Sequence, residues 1–469
     1  MKKIETDKIV GIATGIILIL LTILLILQLN NLNILPPKYL SLFTFILLLF
    51  NILSIIFVFI DKKIFKIIGY TLSVILIIFN LIFCYYIKTT NNFLNNTIVK
   101  VNEYTNEYVL ITLKDSEITK LKNINKIGYY SQIPNINEVL EKLKEFSNIK
   151  YNDLNKLIAD LNNKNINVIL LEKNLYEFIF NLDKNLNKDD YKIIYEFSIN
   201  IKENVSISKY NDKFNIYIGG LDFTGKIYDF NMLVTINEEK SKILLTSIPR
   251  DYHIDVYGKN GKDNINYHGM WGITTTMKSL EQLFDTKIDY YIKINTTSLV
   301  KLVDMLGGIN YCSDYEFVTT HALVLNTYND NGKKLYVKKG CRNYNGIETL
   351  TIARERLNIP GGDMARQENC RKILMSIMNK IVSFDSITKY NELLDNVSDL
   401  YTTNIPKETI TEIIKKTLEN NNWNIETTEV TGTISKGYVH LSNYVDYINI
   451  PNYDSVDKVK NKINENLTK

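Results

Sequence analysis

The chain has 469 residues, enough for two or three domains, with 55 Lys and Arg against 51 Asp and Glu and a formal net charge of +4. So small an excess over this length excludes nucleic-acid binding through bulk charge, and no nucleic-acid partner is expected. Asn, Ile, Lys, Leu and Tyr dominate while Pro (7) and Gly (20) are scarce, a bias of AT-rich coding that strips runs such as 421–424 of special meaning.

The first ninety residues set the compartment. Ile9–Leu29 carries no charge, and Leu40–Ile60 and Ile67–Ile87 are two further apolar runs. Each reaches the roughly 20 residues a helix needs to cross a hydrocarbon core. Three in series outweigh a buried core helix or a cleaved signal peptide. Residues 1–88 are therefore expected to form three transmembrane helices. Lys2, Lys3 and Lys8 precede the first span and Lys62, Lys63 and Lys66 separate the second from the third, while the first loop offers Lys38 alone. The positive-inside rule then places the N-terminus in the cytoplasm of a multi-pass cell-membrane protein, with residues 89–469 outside.

Residues 89–205 hold short amphipathic stretches, Ile136–Phe146 and Tyr151–Leu161, and read as a small accessory α/β domain or spacer with no evident chemistry. From about Ser206 the texture changes. Phe214–Gly220 alternates as a strand, and Phe230–Ile236, a turn at 237–241 and Lys242–Arg250 read as an antiparallel hairpin. Thr274–Phe284 puts Met277, Leu280 and Phe284 on one helical stripe. Ile288–Asn295 is a strand, Thr296–Gly308 a helix with a glycine stop, and Ile309–Phe317 a strand again. Asn345 and Gly346 open a helix to about Arg354. Beyond the Pro360-Gly361-Gly362 turn, Asp363 can cap a helix whose apolar side is Ile373, Leu374, Ile377, Met378 and Ile381. Strands alternating with helices give an α/β class, a three-layer mixed sheet over 206–385, with 386–469 as an α/β extension packed on it.

Of four cysteines, Cys84 lies in the third span and the other three fall in the outer part, where oxidation is permitted. An odd number leaves one thiol over. Cys312 and Cys341 flank a polar, loop-like excursion and could form the one bridge; separately buried thiols are the alternative.

Hairpin geometry gathers the chemistry. Asp222 follows one strand, Asp229 precedes the next, and the returning partner delivers Pro249, Arg250 and Asp251 to the same edge. Two carboxylates on one loop suit Mg²⁺, which takes one or two carboxylates with water and phosphate oxygens; ordinary turn residues are the competing reading. In a chain whose other cations are nearly all lysine, residues 354–371 concentrate Arg354, Arg356, Arg366 and Arg371. Arginine grips two oxygens of one anion, which lysine cannot do. Arg354 and Arg356 point the same way if the segment before Pro360 is extended. Arg366 sits in a first helical turn, where a cation opposes the dipole unless an anion binds there. A surface network with Glu355 and Glu368 is the alternative. Asp363 could orient an arginine, cap the helix or act as a base.

With these residues in view, the chain resembles the LytR-CpsA-Psr family, within it the three-span capsule-biosynthesis branch. The stretches that carry the resemblance are Thr246–Gly258, Ile288–Tyr311 and Ala353–Leu374, within about 206–385. The resemblance implies a Mg²⁺-dependent phosphotransferase outside the cell, with an apolar tunnel for a lipid tail. It would join a polyprenyl-pyrophosphate-linked glycan, such as capsule or teichoic acid, to peptidoglycan through a phosphodiester. Carried across, Asp222 and Asp229 match the metal carboxylates, Arg250, Arg354, Arg356 and Arg366 the pyrophosphate-binding arginines, and Asp363 the acid beside them. Asp222 or Asp363 would take the acceptor's proton. Ile227, Asn264, Tyr267 and Cys370 depart from the family's usual Arg, Lys, His and Gln. Two alternatives use the same residues: a non-catalytic binder or regulator of lipid-linked glycans, and a pyrophosphatase acting on the carrier.

Overall fold

A computed structural model describes residues 2–99, 103–131, 133, 136–152, 154–173, 176, 187–202, 208–222, 227–294, 296–323, 333–382, 401–419, 423–439 and 444–468. Three N-terminal helices, α1 (Lys2–Leu32), α2 (Pro37–Phe59) and α3 (Lys63–Val99), each contain a stretch long and apolar enough to cross a membrane. Less than a third of each such stretch is buried within the protein, so most of its apolar surface is left for lipid. Small and polar residues hold the bundle, as expected where the surroundings are as apolar as leucine. Asn51 Nδ2 donates to Thr22 Oγ1 at 2.8 Å, and Ser54 and Ser73 hydroxyls meet at 2.6 Å. At Gly69 a Cβ would lie 2.6 Å from the backbone nitrogen of Val58, so only glycine allows that approach.

The next unit is a five-stranded sheet of β1 (Glu103–Leu113), β2 (Lys126–Tyr130), β3 (Ser147–Tyr151), β4 (Ile169–Glu172) and β5 (Tyr191–Lys202), in the order β3-β2-β4-β1-β5. Helices α4 (Ile136–Lys142) and α5 (Leu154–Asn162) bury Val139, Leu157 and Leu161 with Leu110 and Val168–Leu171 in one core.

The larger unit is built on β6 (Lys213–Leu221), β7 (Tyr228–Asn237) and β8 (Lys242–Ile248), an antiparallel meander. After it come the short pair β9 (His253–Asp255) and β10 (Lys262–Asn264), helix α6 (Ile273–Phe284), β11 (Tyr290–Ile294) and helix α7 (Thr296–Met305). Strands β12 (Ile309–Ser313), β13 (Phe317–Ala322), β14 (Lys334–Val337) and β15 (Gly340–Tyr344) lead to helices α8 (Gly346–Arg354) and α9 (Gly362–Val382). The chain closes with β16 (Tyr401–Thr403), α10 (Lys407–Glu419), β17 (Asn424–Glu429), the hairpin β18 (Gly432–Val439) and β19 (Tyr444–Pro451), and α11 (Tyr453–Thr468).

The central sheet has six strands in the order β16-β11-β6-β7-β8-β17. Strand β11 runs parallel to β6 and β17 parallel to β8, so the sheet is mixed. Helices α6 and α11 cover one face, burying Met277, Leu280, Val456 and Ile463 on Tyr217, Leu233 and Leu244. The other face packs Phe214, Ile218, Met232 and Tyr290 against Ile410 and Ile413 of α10 and Leu374 of α9. Because β7 is covered on both faces, it is buried along nearly its whole length, its polar Asn231, Thr235 and Asn237 included. The sequence reading set residues 386–469 apart as an extension. In the structure β16 and β17 are the two edge strands of this sheet, so the chain returns twice to complete it.

Anchor and sheet are packed together. Lys407 Nζ bonds Asn91 Oδ1 on α3, and Ile410 belongs to both the span cluster and the sheet cluster.

Candidate functional site

The β6–β7 register pairs Gly220 with Phe230 and Leu221 with Tyr228, so Asp229 is the extra residue of a bulge at the start of β7, and Asp222 follows just past the last pair at the same end of the sheet. Asp222 N donates to Ile227 O at 2.8 Å and Ile227 N to Asp222 Oδ1 at 3.4 Å, closing that loop. The β7–β8 register pairs Asn231 with Ile248, so β8 delivers Arg250 to the same edge. Arg250 Nη1 pairs with Asp229 Oδ1, and its Nε donates to Asp251 Oδ1 at 3.0 Å.

Helix α8 starts at a reciprocal cap, Asn345 Oδ1 accepting from Glu348 N while Glu348 Oε2 accepts from Asn345 N, both at 3.0 Å. It ends at Arg354, and Glu355 is already extended, with φ −70 and ψ 129. In extended chain neighbouring side chains alternate: Arg354 and Arg356 line one cavity while Glu355 between them is fully buried on the other side. There Glu355 accepts from Thr320 N and Oγ1, Leu357 N and Asn358 N. Those donors outweigh burial and hold its carboxyl below the usual range. Glu355 thus pins the turn through backbone and Thr320 donors, while Glu368 forms an Arg–Glu pair with Arg371, the part of the surface network weighed from the sequence that these contacts contain. The turn demands glycine, since Gly361 and Gly362 have φ of +95° and +58°.

The first turn of α9 then brings Asp363 and Arg366. Asp363 Oδ1 accepts from Arg366 Nε at 2.8 Å and its Oδ2 from Gln367 Nε2 at 3.2 Å, so it orients the arginine. Burial pushes the Asp363 carboxyl up, but Arg366, with Arg250 behind it, leaves it below the ordinary carboxylate value. Burial likewise lowers the pKa of Arg250, and Asp229 and Asp251 reverse that, so the guanidinium stays charged. Arg366 is 4% exposed, and its Nη2 has no hydrogen-bond partner among the described residues. A buried guanidinium NH₂ without an acceptor is costly, and an anion in the cavity would provide one.

These residues meet at one end of a cavity of about 1200 Å³, counting its open mouth. Asp222, Asp229, Arg250, Arg354, Arg356 and Arg366 line the polar end; Ile218, Phe230, Ile294, Leu299, Ile373 and Leu374 are among the residues lining the rest. Asp363 stands behind Arg366, outside the lining. Met378, placed on the apolar side of α9 by its sequence pattern, is 49% exposed; the Ile381 side chain lies outside the described residues. No group of three or more His, Cys, Asp or Glu converges as a metal cage among the described residues. Asp222 and Asp229 remain a two-carboxylate seat of the kind Mg²⁺ accepts when phosphate and water complete its shell.

Three residues at the site were not singled out as candidates. Asp251 partners Arg250, a role its adjacency hinted at. Gln367 steadies Asp363, and His321, brought in by β13, lines the cavity; neither carried a local signal. Cys370 also lines the cavity; its Sγ donates to Ala353 O at 3.3 Å, and burial pushes the thiol up to about 11. Cys312 and Cys341 are directly opposed across β12 and β15 and are joined as a disulfide.

The LytR_cpsA_psr family model matches residues 176–465, past the 206–385 stretch on both sides. The polyisoprenyl-teichoic acid–peptidoglycan teichoic acid transferase TagU of Bacillus cereus is 28% identical over 217 residues, 45% of this chain and 67% of that protein. TagU of Bacillus licheniformis is 30% identical over 220 residues, 44% of this chain and 67% of that protein. The crystal structure of B. subtilis TagU aligns with 26% identity and a TM-score of 0.43, over 55% of this chain and 98% of that one.

Proposed function

The chain belongs to the LytR-CpsA-Psr family, and on that premise we propose that it is a membrane-anchored transferase moving a glycopolymer from a polyprenyl pyrophosphate carrier onto peptidoglycan. The observation that carries this reading is the two-ended cavity, arginines and carboxylates at one end and an apolar wall beyond. An amphiphile with a diphosphate head and a long hydrocarbon tail fits both ends at once.

A hydroxyl of the acceptor sugar attacks the phosphorus next to the glycopolymer. A new O–P bond forms, the P–O bond to the polyprenyl phosphate breaks, and the hydroxyl's proton goes to a carboxylate. Asp222 lines the cavity and would take that proton on the carboxylate oxygen that a bound cation leaves free. Asp363 is committed to Arg366 and Gln367, and a carboxyl of lowered pKa is a weak base. Arg250, Arg354, Arg356 and Arg366 hold the diphosphate and spread the charge that develops on it.

Charge favours a divalent cation. The four arginines are set against Asp222, Asp229, Asp251 and Asp363, four against four, so a diphosphate diester adds two negative charges that the site alone does not neutralise. Mg²⁺ held by Asp222 and Asp229 would supply Lewis-acid neutralisation of the phosphate oxygens. In the orientation read from the lysines, the cleft works outside the membrane, where peptidoglycan lies.

The test is transfer from a short-chain lipid-linked saccharide to peptidoglycan oligomers by the full-length protein in detergent. A phosphodiester-linked product with release of polyprenyl phosphate supports the proposal. Release without linkage would make it a pyrophosphatase, and neither outcome a binder; both overturn it.

A further inference from the structure

The β18–β19 hairpin turns one face inward, burying Val439 and Ile448 against Tyr267 and Met270. By the alternation of a half-buried antiparallel pair, its other face should be polar. Instead Ile434, Tyr438, Val445 and Tyr447 are 61, 69, 44 and 60% exposed on that face. Lys436 lies directly opposite Tyr447, its Nζ 5.5 Å from the ring centroid. Isolated exposed apolar residues need no explanation, but four on one face of one hairpin do.

We propose that this face is the docking platform for the acceptor, a glycan strand of amino sugars bearing carboxylates; the proposal rests on the transferase reading above. A pyranose ring has an apolar C–H face and a polar rim, and tyrosine offers a flat apolar ring with a hydroxyl at its edge. Tyr438 and Tyr447 sit diagonally across the two strands on the same face, roughly 7–8 Å apart at their backbones, a spacing one glycan strand can span. Lys436 adds the positive charge that carboxylates on the acceptor require.

The platform's strand is tied by its backbone to the segment that carries Arg250. Asn449, two residues beyond Tyr447, donates its N–H to Asp251 O at 2.7 Å and bridges Tyr252, and Asp251 holds Arg250. The strand is fixed there by Asn264 Nδ2, which donates to Tyr447 O at 2.9 Å, and by the Tyr267 hydroxyl, which donates to Asp446 Oδ2 at 3.2 Å. At these two positions Asn264 and Tyr267 replace the family's usual Lys and His, so here they support the hairpin.

Placement argues against a lipid surface as the occupant. The span α3 meets this unit at α10, beside the β16 edge of the sheet, whereas the hairpin follows β17 at the opposite edge. Six strands at about 4.8 Å spacing put roughly 24 Å between those edges.

The experiment uses the full-length protein, a fixed lipid-linked donor and soluble glycan strands released from peptidoglycan as the varied acceptor. Tyr438→Ala/Tyr447→Ala should raise the acceptor KM about tenfold, equivalent to 1.4 kcal/mol, while kcat at saturating acceptor and the donor KM hold. Tyr438→Phe/Tyr447→Phe should largely retain the acceptor KM, and Lys436→Ala should weaken carboxylate-bearing strands more than amidated ones. An unchanged acceptor KM in the double Ala variant overturns the proposal. So does a loss of binding to anionic vesicles, or of self-association, while glycan binding persists. If even the unaltered protein makes no linked product, the transferase reading fails separately. Sedimentation with insoluble peptidoglycan then still decides the platform, by whether the double Ala variant is retained less.

Discussion

Asp363 Oδ1 takes the Nε–H of Arg366 at 2.8 Å, which fixes one edge of the guanidinium and leaves its buried Nη2 without an acceptor among the described residues. The carboxylate positions the fork; the fork is available for phosphate. Arg366→Lys should therefore lower transfer on the order of 100-fold, with the melting temperature little changed. Asp363→Asn should cause a comparable loss yet leave the acidic limb of the pH–rate profile where it was, because Asp363 is not the group losing the proton. Movement of that limb would make Asp363 the base.

Arg354 and Arg356 differ in setting, the first half-buried and the second exposed. Arg354→Lys should cost more than Arg356→Lys, and the double variant less than the product of the two single losses, since residues gripping one anion act as a unit. Near-normal transfer by Arg354→Lys would reduce this segment to surface charge.

Asp229 has two claims on it, Arg250 and a proposed metal. Asp229→Asn should raise the Mg²⁺ concentration needed for half-maximal transfer, with partial recovery at high Mg²⁺. A Mg²⁺ titration checks this; an unshifted midpoint would assign Asp229 to Arg250 alone.

Most of the large unit's architecture could be read from the chain because its signals are local. The β7–β8 hairpin, the glycine stop after α7 and the capped start of α8 each rest on a few adjacent residues. The site was legible for the same reason: Asp222, Asp229 and Arg250 lie at strand ends whose pairing is forced, and Arg354 and Arg356 flank a proline-enforced extended segment. Long-range relationships were hidden. Nothing near Tyr401 or Asn424 announces that these residues close both edges of a sheet begun two hundred positions earlier, and nothing near Glu355 announces its partner Thr320. Asp363 read equally well as cap, base or orienter, and only the positions of Arg366 and Gln367 separate those roles.

His268 is fully buried, Nδ1 against Ser279 Oγ at 3.0 Å and Nε2 against Asp263 O at 3.2 Å. Burial lowers its pKa from 6.5 to about 3. Between those values the unfolded chain carries a proton that the folded chain refuses. Stability therefore rises with pH through that window, is complete above 6.5, and is lost as pH falls toward 3, at about 1.4 kcal/mol per pH unit while the difference is full. Thermal melts from pH 7 down to pH 4 should show this loss, and His268→Asn should flatten it. An equally steep fall in the variant would assign the acid sensitivity elsewhere.

The Cys312–Cys341 bridge closes a separation of 29 residues that includes β13 and β14 and ends just ahead of α8. Closing a loop of this size in the unfolded chain is worth about 3.6 kcal/mol. Cys312→Ser, or reduction with the thiols then blocked, should lower the melting temperature and raise proteolysis between the two positions more than it lowers kcat. A melt unaffected by reduction would contradict this.

The side chain of Ile410 sits at once among the residues of the membrane spans and among those beneath the sheet. A domain on a slack leash sweeps a volume, and its reach is set by the leash. A domain that shares packing with its own anchor keeps one altitude and one tilt above the lipid. For this chain the arginine cluster is then a fixed station rather than a roving one: under the proposed transferase reading, carriers would diffuse to it in two dimensions and acceptors would be reached only within its set elevation. Lengthening the leash elsewhere in the chain would change nothing unless this packing were broken first.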